Sequence, residues 1–416
     1  MIVIKNDFKT IQIAVYLTDL ETPDTRVYRF LLPKLMVTGT DQLPTRLSMN
    51  RRLEQLYGAY IKPRTERIGN LSVMSFSMTI ADPKIVEDPK LWPDAIQLFK
   101  EVLFDHRAFN EEIFYEEKRM LIEQWETLQD KKRAYAQHQF QRLFFGDDPY
   151  GSPISGTLEQ IKKTTLKHLV DYYQRTILHQ AKTIVLNGHV DDQMKDELFK
   201  HLGSDIAFTD PFVTHFRAPR PLVKEVESTI MKQAIVHMGY ILPIYRIDEL
   251  YDAAVILDTI LGGYPESRLF REIREKEGLC YDVSSNYDHY KGVLMISSGI
   301  DLSKVDFAIE QIKILVENMK NDGISAEELD HAKAYYIHQI KSSLDSQSTL
   351  TKRAFIRHLL NYQESVEARI THISNVTLED VKKALSQLTI DTIYVLEGER
   401  PWSKKRLNVS MKLSIS

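Results

Sequence analysis

The hydrophobic pattern of the chain predicts two halves with the same order of elements. In the first half, alternating apolar residues and helical periodicity predict strand, helix, helix and strand at 11–17, 28–39, 50–61 and 70–80. In the second half, the same tests predict strand, helix, helix and strand at 235–242, 252–263, 268–278 and 292–300. Gly58 and Gly278 end the second helix at matching places, where a helix favours a residue with a left-handed backbone. The chain is therefore predicted to be a duplicated α+β domain.

The remainder of each half is predicted to be helical and to close with a strand. In the first half, helical segments at 92–104, 109–146 and 158–177 precede a strand at 182–190. In the second half, helices that include one capped by Ser325 and one capped by Thr377 precede a strand at 391–399. Gly203, Pro211, Pro219 and Pro221 interrupt the periodicity between the halves. We therefore expect domains at 1–202 and 225–416, joined by a linker at 203–224.

The composition is that of an ordinary soluble globular protein. The 416 residues are 43% hydrophobic and 27% charged, and the net charge of -4 carries no long single-sign block, so no nucleic-acid partner is expected. The N-terminus lacks the apolar run of a signal peptide and no segment is long enough to span a bilayer, so we expect a cytoplasmic protein without a membrane partner. The single cysteine, Cys280, excludes an intrachain disulfide and is expected to be a small core residue.

The segment 265–283 carries the most specific chemical signal. Its pattern predicts an amphipathic helix that ends at Gly278 and continues as a strand, so Arg274 and Tyr281 lie on either side of the bend. A guanidinium and a phenol that converge beside a backbone edge suit the holding of a peptide. The alternative is that Arg274 complements the helix dipole and Tyr281 packs in the core.

This segment and its lead-in at 253–270 resemble the C-terminal domain of the insulinase-type (M16) metallopeptidases and the related mitochondrial processing peptidases. In that family an Arg, six residues and a Tyr form the substrate-holding pair, and Arg274 and Tyr281 occupy both positions. The resemblance spans nearly the whole chain. It implies the metallohydrolase fold of the LuxS and processing-peptidase type, with two homologous halves, each a mostly antiparallel sheet packed with helices.

The zinc motif that the resemblance implies is absent. Active members carry His-x-x-Glu-His on the first helix, with two His zinc ligands and a Glu as the general base. An alignment on Gly39 and Thr40 places on those five positions Phe30, Leu31, Leu32, Pro33 and Lys34. Phenylalanine and proline offer no ligand or base, and a lysine ammonium repels a metal ion. We therefore expect no metal and no other cofactor.

A later helix keeps acidic residues at the spacing of the family's outer Glu and third zinc ligand. Glu116 and Glu123 are two helical turns apart and so share one face. The alternative is chance, because this helix is rich in glutamate. If Glu123 still faces the former metal position, a cation must neutralise it, and we predict that Lys34 forms a salt bridge with Glu123 or Glu116.

Three functional hypotheses follow. The leading one is a catalytically inactive M16-type chain that holds unstructured or extended peptides through Arg274 and Tyr281, as the non-catalytic subunit of a two-chain zinc peptidase. Its partner would be a zinc-bearing M16 subunit, or a second copy of the chain. The second hypothesis is a stand-alone peptide-binding or scaffold protein with the same fold. The third, an active peptidase with an unrecognised site, has the least support, because no Ser-His-Asp or Cys-His motif is identifiable.

Overall fold

The computed structural model describes residues 1–209, 218 and 220–398, and these form two compact units. Unit 1 consists of Met1–Thr127, Ser152–Val213 and Ile340–Ser365. Unit 2 consists of Leu128–Gly151, Thr214–Gln339 and Val366–Ser416. No helix in the described part of the chain is long and apolar enough to cross a membrane.

Ten strands and fourteen α-helices are named in chain order within the described residues. The strands are β1 Ile2–Lys5, β2 Thr10–Leu20, β3 Tyr60–Ile68, β4 Leu71–Ala81, β5 Ala181–Gly188, β6 Val223–Thr229, β7 Gln233–Ile241, β8 Cys280–Asp288, β9 Val293–Asp301 and β10 Thr389–Gly398. The helices are α1 Arg26–Thr38, α2 Arg46–Gln55, α3 Leu91–Phe104, α4 Glu111–Glu126, α5 Lys132–Phe145, α6 Leu158–Lys163, α7 Leu166–Arg175, α8 Asp192–Leu202, α9 Tyr251–Asp258, α10 Val305–Asp322, α11 Ala326–Ser342, α12 Gln347–Leu359, α13 Val366–Asn375 and α14 Leu378–Ser386. Two π-helical segments, Thr259–Gly263 and Leu269–Lys276, follow α9.

The sheet of unit 1 has the strand order β1-β5-β2-β4-β3. All pairings are antiparallel except that of β1 with β5. Alternate residues of β2, from Ile11 to Leu17, point to one face and pack with apolar residues of α1, α3, α4 and α7. The other face of β2 and β5 carries polar side chains and contacts α12, where Phe355 stacks on Tyr16 with ring centres 3.8 Å apart.

The sheet of unit 2 has the equivalent order β6-β10-β7-β9-β8. Again one edge strand is parallel to its neighbour, here β6 to β10, and the other pairings are antiparallel. This equivalence confirms the predicted α+β class with two similar halves. Helix α5 packs on this sheet, where Ala136, Phe140 and Phe144 form a core cluster with residues that include Ile235 and Tyr394.

The compact units cut across the sequential halves. Helix α5 lies in the first half of the sequence but belongs to unit 2, and α12 lies in the second half but belongs to unit 1. Each half of the chain therefore supplies a helix that packs in the unit built mainly by the other half. Part of the predicted linker at 203–224, namely residues 210–217 and 219, lies outside the described residues.

Several local predictions differ from the structure, among them the helix predicted at 158–177, which is the two helices α6 and α7. Strand β3 was not predicted, because its charged side chains and Pro63 obscure the alternation of an edge strand. The single helix predicted at 109–146 is two helices, since α4 ends at Glu126. The N–H of its capping residue, Thr127, bonds to the carbonyls of Glu123 and Trp125. The helix predicted at 268–278 has π geometry over Leu269–Lys276. The predicted helix caps at Ser325 and Thr377 are confirmed.

Candidate functional site

The positions of the absent zinc motif lie in the middle of α1. Pro33 is buried inside this helix and has no N–H to donate to the carbonyl of Arg29. Thr65 of β3 donates its hydroxyl to that carbonyl at 2.7 Å, so the acceptor is satisfied. Phe30 is partly buried, and its ring centre lies 4.8 Å from the Lys34 ammonium. An apolar ring, a proline and a cation therefore occupy these positions.

Lys34 contacts helix α4 through Glu117, which is not one of the two glutamates predicted as its partner. Its Nζ lies 3.4 Å from Oε2 of Glu117, which is only 6% exposed. Glu116 and Glu123 are exposed. The prediction that Lys34 pairs with Glu116 or Glu123 is therefore wrong in the partner. Consecutive residues of a helix point about 100° apart, and Glu117 is the one that faces α1.

Arg46 of α2 completes this charge cluster. One guanidinium nitrogen, Nη2, lies 3.1 Å from Glu117 and 3.0 Å from Glu116. Glu117 is thus shared by two cations, neither of which is a metal ligand. The residue two helical turns after Glu117 is Gln124, an amide. Within the described ranges, no group of three His, Cys, Asp or Glu side chains could hold a metal ion.

Arg274 and Tyr281 lie at one edge of the sheet of unit 2. Strand β8 pairs with β9 and is the last strand in the described sheet. The register shifts between Cys280, opposite Ile300, and Asp282, opposite Gly299, so Tyr281 is the extra residue of a β-bulge. Its side chain is 62% exposed. The bulge thus turns a phenol outwards at a free strand edge.

The helix before the bulge places Arg274 on the exposed side of the bend. The amide of Glu277 bonds to the carbonyl of Glu272, five residues earlier, which is the spacing of a π turn. The amide of Leu279 bonds to the carbonyl of Ile273 across the bend at Gly278. Gly278 has φ +58°, which confirms the predicted left-handed position. The Arg274 guanidinium lies 4.4 Å from the ring centre of Phe270. The predicted pair is therefore exposed, in contrast to the alternative in which Tyr281 packs in the core.

An ion pair between Arg133 and Asp282 lies at this edge of the sheet. Arg133 of α5 binds both carboxylate oxygens of Asp282, at 2.7 and 2.9 Å. These hydrogen bonds hold the pKa of Asp282 below its ordinary value, and Arg274 adds to the effect. Burial raises the pKa of the Cys280 thiol, which fits the predicted core role and not a nucleophile.

A half-buried aspartate ties strand β8 to the helical layer of unit 2. Asp258, at the end of α9, accepts hydrogen bonds from the Ser285 hydroxyl at 2.5 Å and from the Tyr287 amide at 3.2 Å. Burial raises the pKa of Asp258 to about 6. Gly262 permits this close approach, because a Cβ there would lie 2.5 Å from the Ser285 nitrogen.

Sequence reasoning missed four residues of these clusters. Arg46, Glu117, Arg133 and Asp258 each act through a partner distant in sequence, and no local motif marks them. Glu117 alone had a usable signal, since it lies beside Glu116 in the helix that the spacing argument had already selected.

Sequence comparisons relate this chain to known peptidase homologues. Residues 163–336 match the family model described as the Peptidase M16 inactive domain. The probable inactive metalloprotease YmfF of Bacillus subtilis is 26% identical over 398 residues, which cover 94% of this chain and 93% of that protein. The uncharacterized zinc protease YmxG of the same organism is 26% identical over 292 residues, or 69% of this chain and 70% of that protein.

Solved structures share the architecture. A conserved protein from Enterococcus faecalis superposes with a TM-score of 0.86 at 26% identity, with 95% of this chain and 96% of that chain covered. A peptidase M16 inactive domain from Pseudomonas fluorescens superposes with a TM-score of 0.78 at 18% identity, covering 96% of this chain and 95% of that chain. The second likeness supports the fold alone.

Proposed function

We propose that this chain, which is similar to inactive M16-type peptidases and lacks the family's zinc motif, is the peptide-binding, non-catalytic subunit of a two-chain zinc peptidase. Arg274 and Tyr281 hold an extended peptide at the free edge of β8. The partner is a zinc-bearing M16 chain with an intact His-x-x-Glu-His motif, and the complex is cytoplasmic. The observation that carries the proposal is the bulge that exposes Tyr281 on an edge strand, directly after a helix whose last turn exposes Arg274.

The chemistry of this edge suits a peptide. An edge strand offers unpaired N–H and C=O groups to an added strand, and side chains beside it fix the register. The Arg274 guanidinium and the Tyr281 hydroxyl can both donate hydrogen bonds to peptide carbonyl oxygens. Strand β8 contains no proline, but its Tyr287 amide is bonded to Asp258, so the peptide pairs with the part of β8 nearer Tyr281.

The decisive experiment uses the double variant Arg274→Ala/Tyr281→Ala together with a zinc-bearing M16 chain from the same host. We expect the mixed chains to cleave unstructured peptides and the double variant to lose this stimulation. Its thermal stability should change little, within about 0.5 kcal/mol, because both side chains are exposed. The matched control is Lys276→Ala/Phe307→Ala, which removes another exposed cation and another exposed aromatic ring.

Two results would overturn this proposal. Full stimulation by Arg274→Ala/Tyr281→Ala would remove the pair from the function. Peptide binding by the chain without association with any zinc-bearing chain would favour the stand-alone scaffold. Metal analysis of untagged protein tests the inactive assignment, for which we expect no stoichiometric zinc and no chelator-sensitive cleavage by the chain alone.

A further inference from the structure

Strand β6 borders the sheet of unit 2 on the side away from β8, as the last strand among the described residues. The side chains of β6 alternate in exposure, and its exposed face carries Lys224, Val226 and Ser228. Val226 is 48% exposed, although its neighbour in the register, Val395 of β10, is buried. The buried apolar layer on this face of the sheet therefore ends at an exposed valine.

Two further exposed apolar residues flank β6. Leu222 and Ile230 lie four positions before and after Val226, a spacing that places all three side chains on one side of an extended chain. Both are exposed, Ile230 by 90% of its surface. We call Leu222, Val226 and Ile230 the β6 apolar row.

The opposite face of β6 is acidic. Glu227 accepts hydrogen bonds from the hydroxyl groups of Tyr135 and Tyr394, both at 2.7 Å. Glu225, two residues earlier, forms no salt bridge within the described part of the chain. A segment that lies beside β6 therefore meets apolar side chains on one face and carboxylates on the other.

Residues 399–416, which follow β10 and lie outside the described part of the chain, have the complementary sequence pattern. From 407 to 416 the sequence reads LNVSMKLSIS, in which five apolar residues alternate with five polar ones. This pattern is typical of a strand with one buried face. Residues 399–416 also contain five Lys and Arg residues and one Glu, so they suit an acidic neighbour.

We propose that residues 407–415 pair with the outer edge of β6, antiparallel to it, as a sixth strand of this sheet. Strand β10 ends at Gly398, which lies opposite Thr229 at the end of β6. A strand outside β6 lies two strand spacings, or about 10 Å, from β10. Residues 399–406 are long enough to cross that distance and reverse the chain.

One register satisfies both faces of β6. In this register each residue of the β6 apolar row faces an apolar residue of the segment: Leu222 with Ile415, Val226 with Met411 and Ile230 with Leu407. It also places Lys412 opposite Glu225, which thereby gains a cation. A shift of one residue would instead place polar side chains against the row.

Proximity favours this edge over other acceptors for the segment. A basic amphipathic segment also suits an anionic membrane surface, and the β6 edge of a second copy has the same chemistry. The eight-residue connection keeps the segment beside its own β6 at an effective concentration of about millimolar. Covering an apolar edge prevents pairing with other chains. It leaves β8, at the opposite border of the sheet, open to a peptide.

The test traps the pairing as a disulfide in the full-length chain. In a Cys280→Ala background, Val226→Cys/Met411→Cys places two thiols at opposite positions, where Cα atoms about 5 Å apart permit a disulfide. We expect mild oxidation to give an intrachain disulfide, seen as a monomer of altered mobility on a non-reducing gel. The matched control, Val226→Cys/Ser410→Cys, places its second thiol on the other face of the segment and should stay reduced.

Hydrogen exchange measured by mass spectrometry gives a readout without cysteines. In the wild-type chain we expect the amides of β6 that point away from β10 to be protected. Val409→Ser/Met411→Ser/Leu413→Ser should remove this protection. Asn408→Ala/Ser410→Ala/Ser414→Ala changes only polar positions of the segment and should keep it.

Four results would overturn the proposal. A disulfide between two chains would assign the edge to a second copy. Equal oxidation of both cysteine pairs, or none together with unprotected β6 amides, would show that the segment does not pair with β6. Protected amides without a disulfide would overturn the register. Unprotected amides in a chain that sediments with phosphatidylserine vesicles would assign the segment to a membrane surface.

Discussion

At the scale of single residues, the sequence could show which chemistry is absent but not what replaced it. Phe30, Pro33 and Lys34 have side chains that cannot supply the zinc ligands or the base, and that conclusion needs no structure. The partner of Lys34 depended on which of two adjacent glutamates faces α1. A change of one position rotates a helical side chain by about 100°, and the spacing predicted Glu123 or Glu116 where the structure has Glu117.

The charge cluster predicts a non-additive response to mutation. Lys34→Met should lower the free energy of unfolding by about 1 kcal/mol or less, because the Lys34 side chain is 35% exposed and Glu117 keeps Arg46. Arg46→Met should behave similarly. The double variant leaves the buried Glu117 without either cation and should cost roughly 3 kcal/mol.

Urea denaturation of the four proteins in this cycle checks the prediction. Addition of Glu117→Gln to the double variant should recover most of the loss, because no buried charge then remains unpaired. Strict additivity of Lys34→Met and Arg46→Met would show that Glu117 does not depend on the two cations.

At the scale of elements, patterns set by burial were predictable and those set by tertiary contacts were not. Strands β2, β4, β7 and β9 carry long apolar patterns because helices pack on them, and all four were predicted. Strand β3 is an edge strand with exposed charged side chains. Its sequence therefore lacks a clear alternation of apolar and polar residues and resembles that of a loop. The π geometry of Leu269–Lys276 depends on which carbonyl groups accept hydrogen bonds from its last amides. The local sequence does not determine those acceptors.

The packing of α5 on β7 predicts a loss of stability in acid. His237 is 5% exposed, stacks on Phe140 and contacts the Ser297 hydroxyl at 2.8 Å. Burial lowers the pKa of His237 to about 4 from the ordinary 6.5. Above pH 6.5 the imidazole is neutral in both the folded and the unfolded state. Between pH 6.5 and about 4 the unfolded state binds a proton and the folded state does not, so the free energy of unfolding falls as the pH falls. The full decrease is roughly 3 kcal/mol.

His237→Asn removes the titrating group while it keeps a polar partner for Ser297. The difference in unfolding free energy between pH 7 and pH 4.5 should be smaller in this variant than in the wild type. The same substitution at the exposed His179 should leave the difference unchanged. An identical pH dependence in all three proteins would contradict the assignment to His237.

At the scale of the whole molecule, duplication was visible in the sequence because each half repeats the same burial pattern. The equivalent strand orders of the two sheets confirm it. Which helix packs on which sheet was not visible, because the sheet partners of α5 and α12 lie far from them in sequence. Only the contacts show that unit 1 includes 340–365 and unit 2 includes 128–151.

A fragment of residues 1–202 should therefore fail to form a stable domain. It lacks α12, so Tyr16 loses its stacking on Phe355, and Asn187 loses its hydrogen bond to Thr351. We expect the fragment to bind a hydrophobic dye and to unfold without a cooperative transition. Attachment of 340–365 through a flexible linker should restore cooperativity more than a scrambled version of the same segment does. A cooperative, dye-silent fragment would refute this expectation.

Because α12 belongs to unit 1 but lies late in the sequence, unit 1 is completed late during synthesis. The ribosome completes β5 at Gly188 long before it reaches α12 at Gln347–Leu359. At roughly 5 to 20 residues per second, the first sheet waits about 10 to 30 seconds for the helix that covers its polar face. A nascent chain of this design exposes an incomplete sheet for that interval, and cellular chaperones would meet it in that state. Early translational pauses in the second half would lengthen the interval and lower the yield of folded protein.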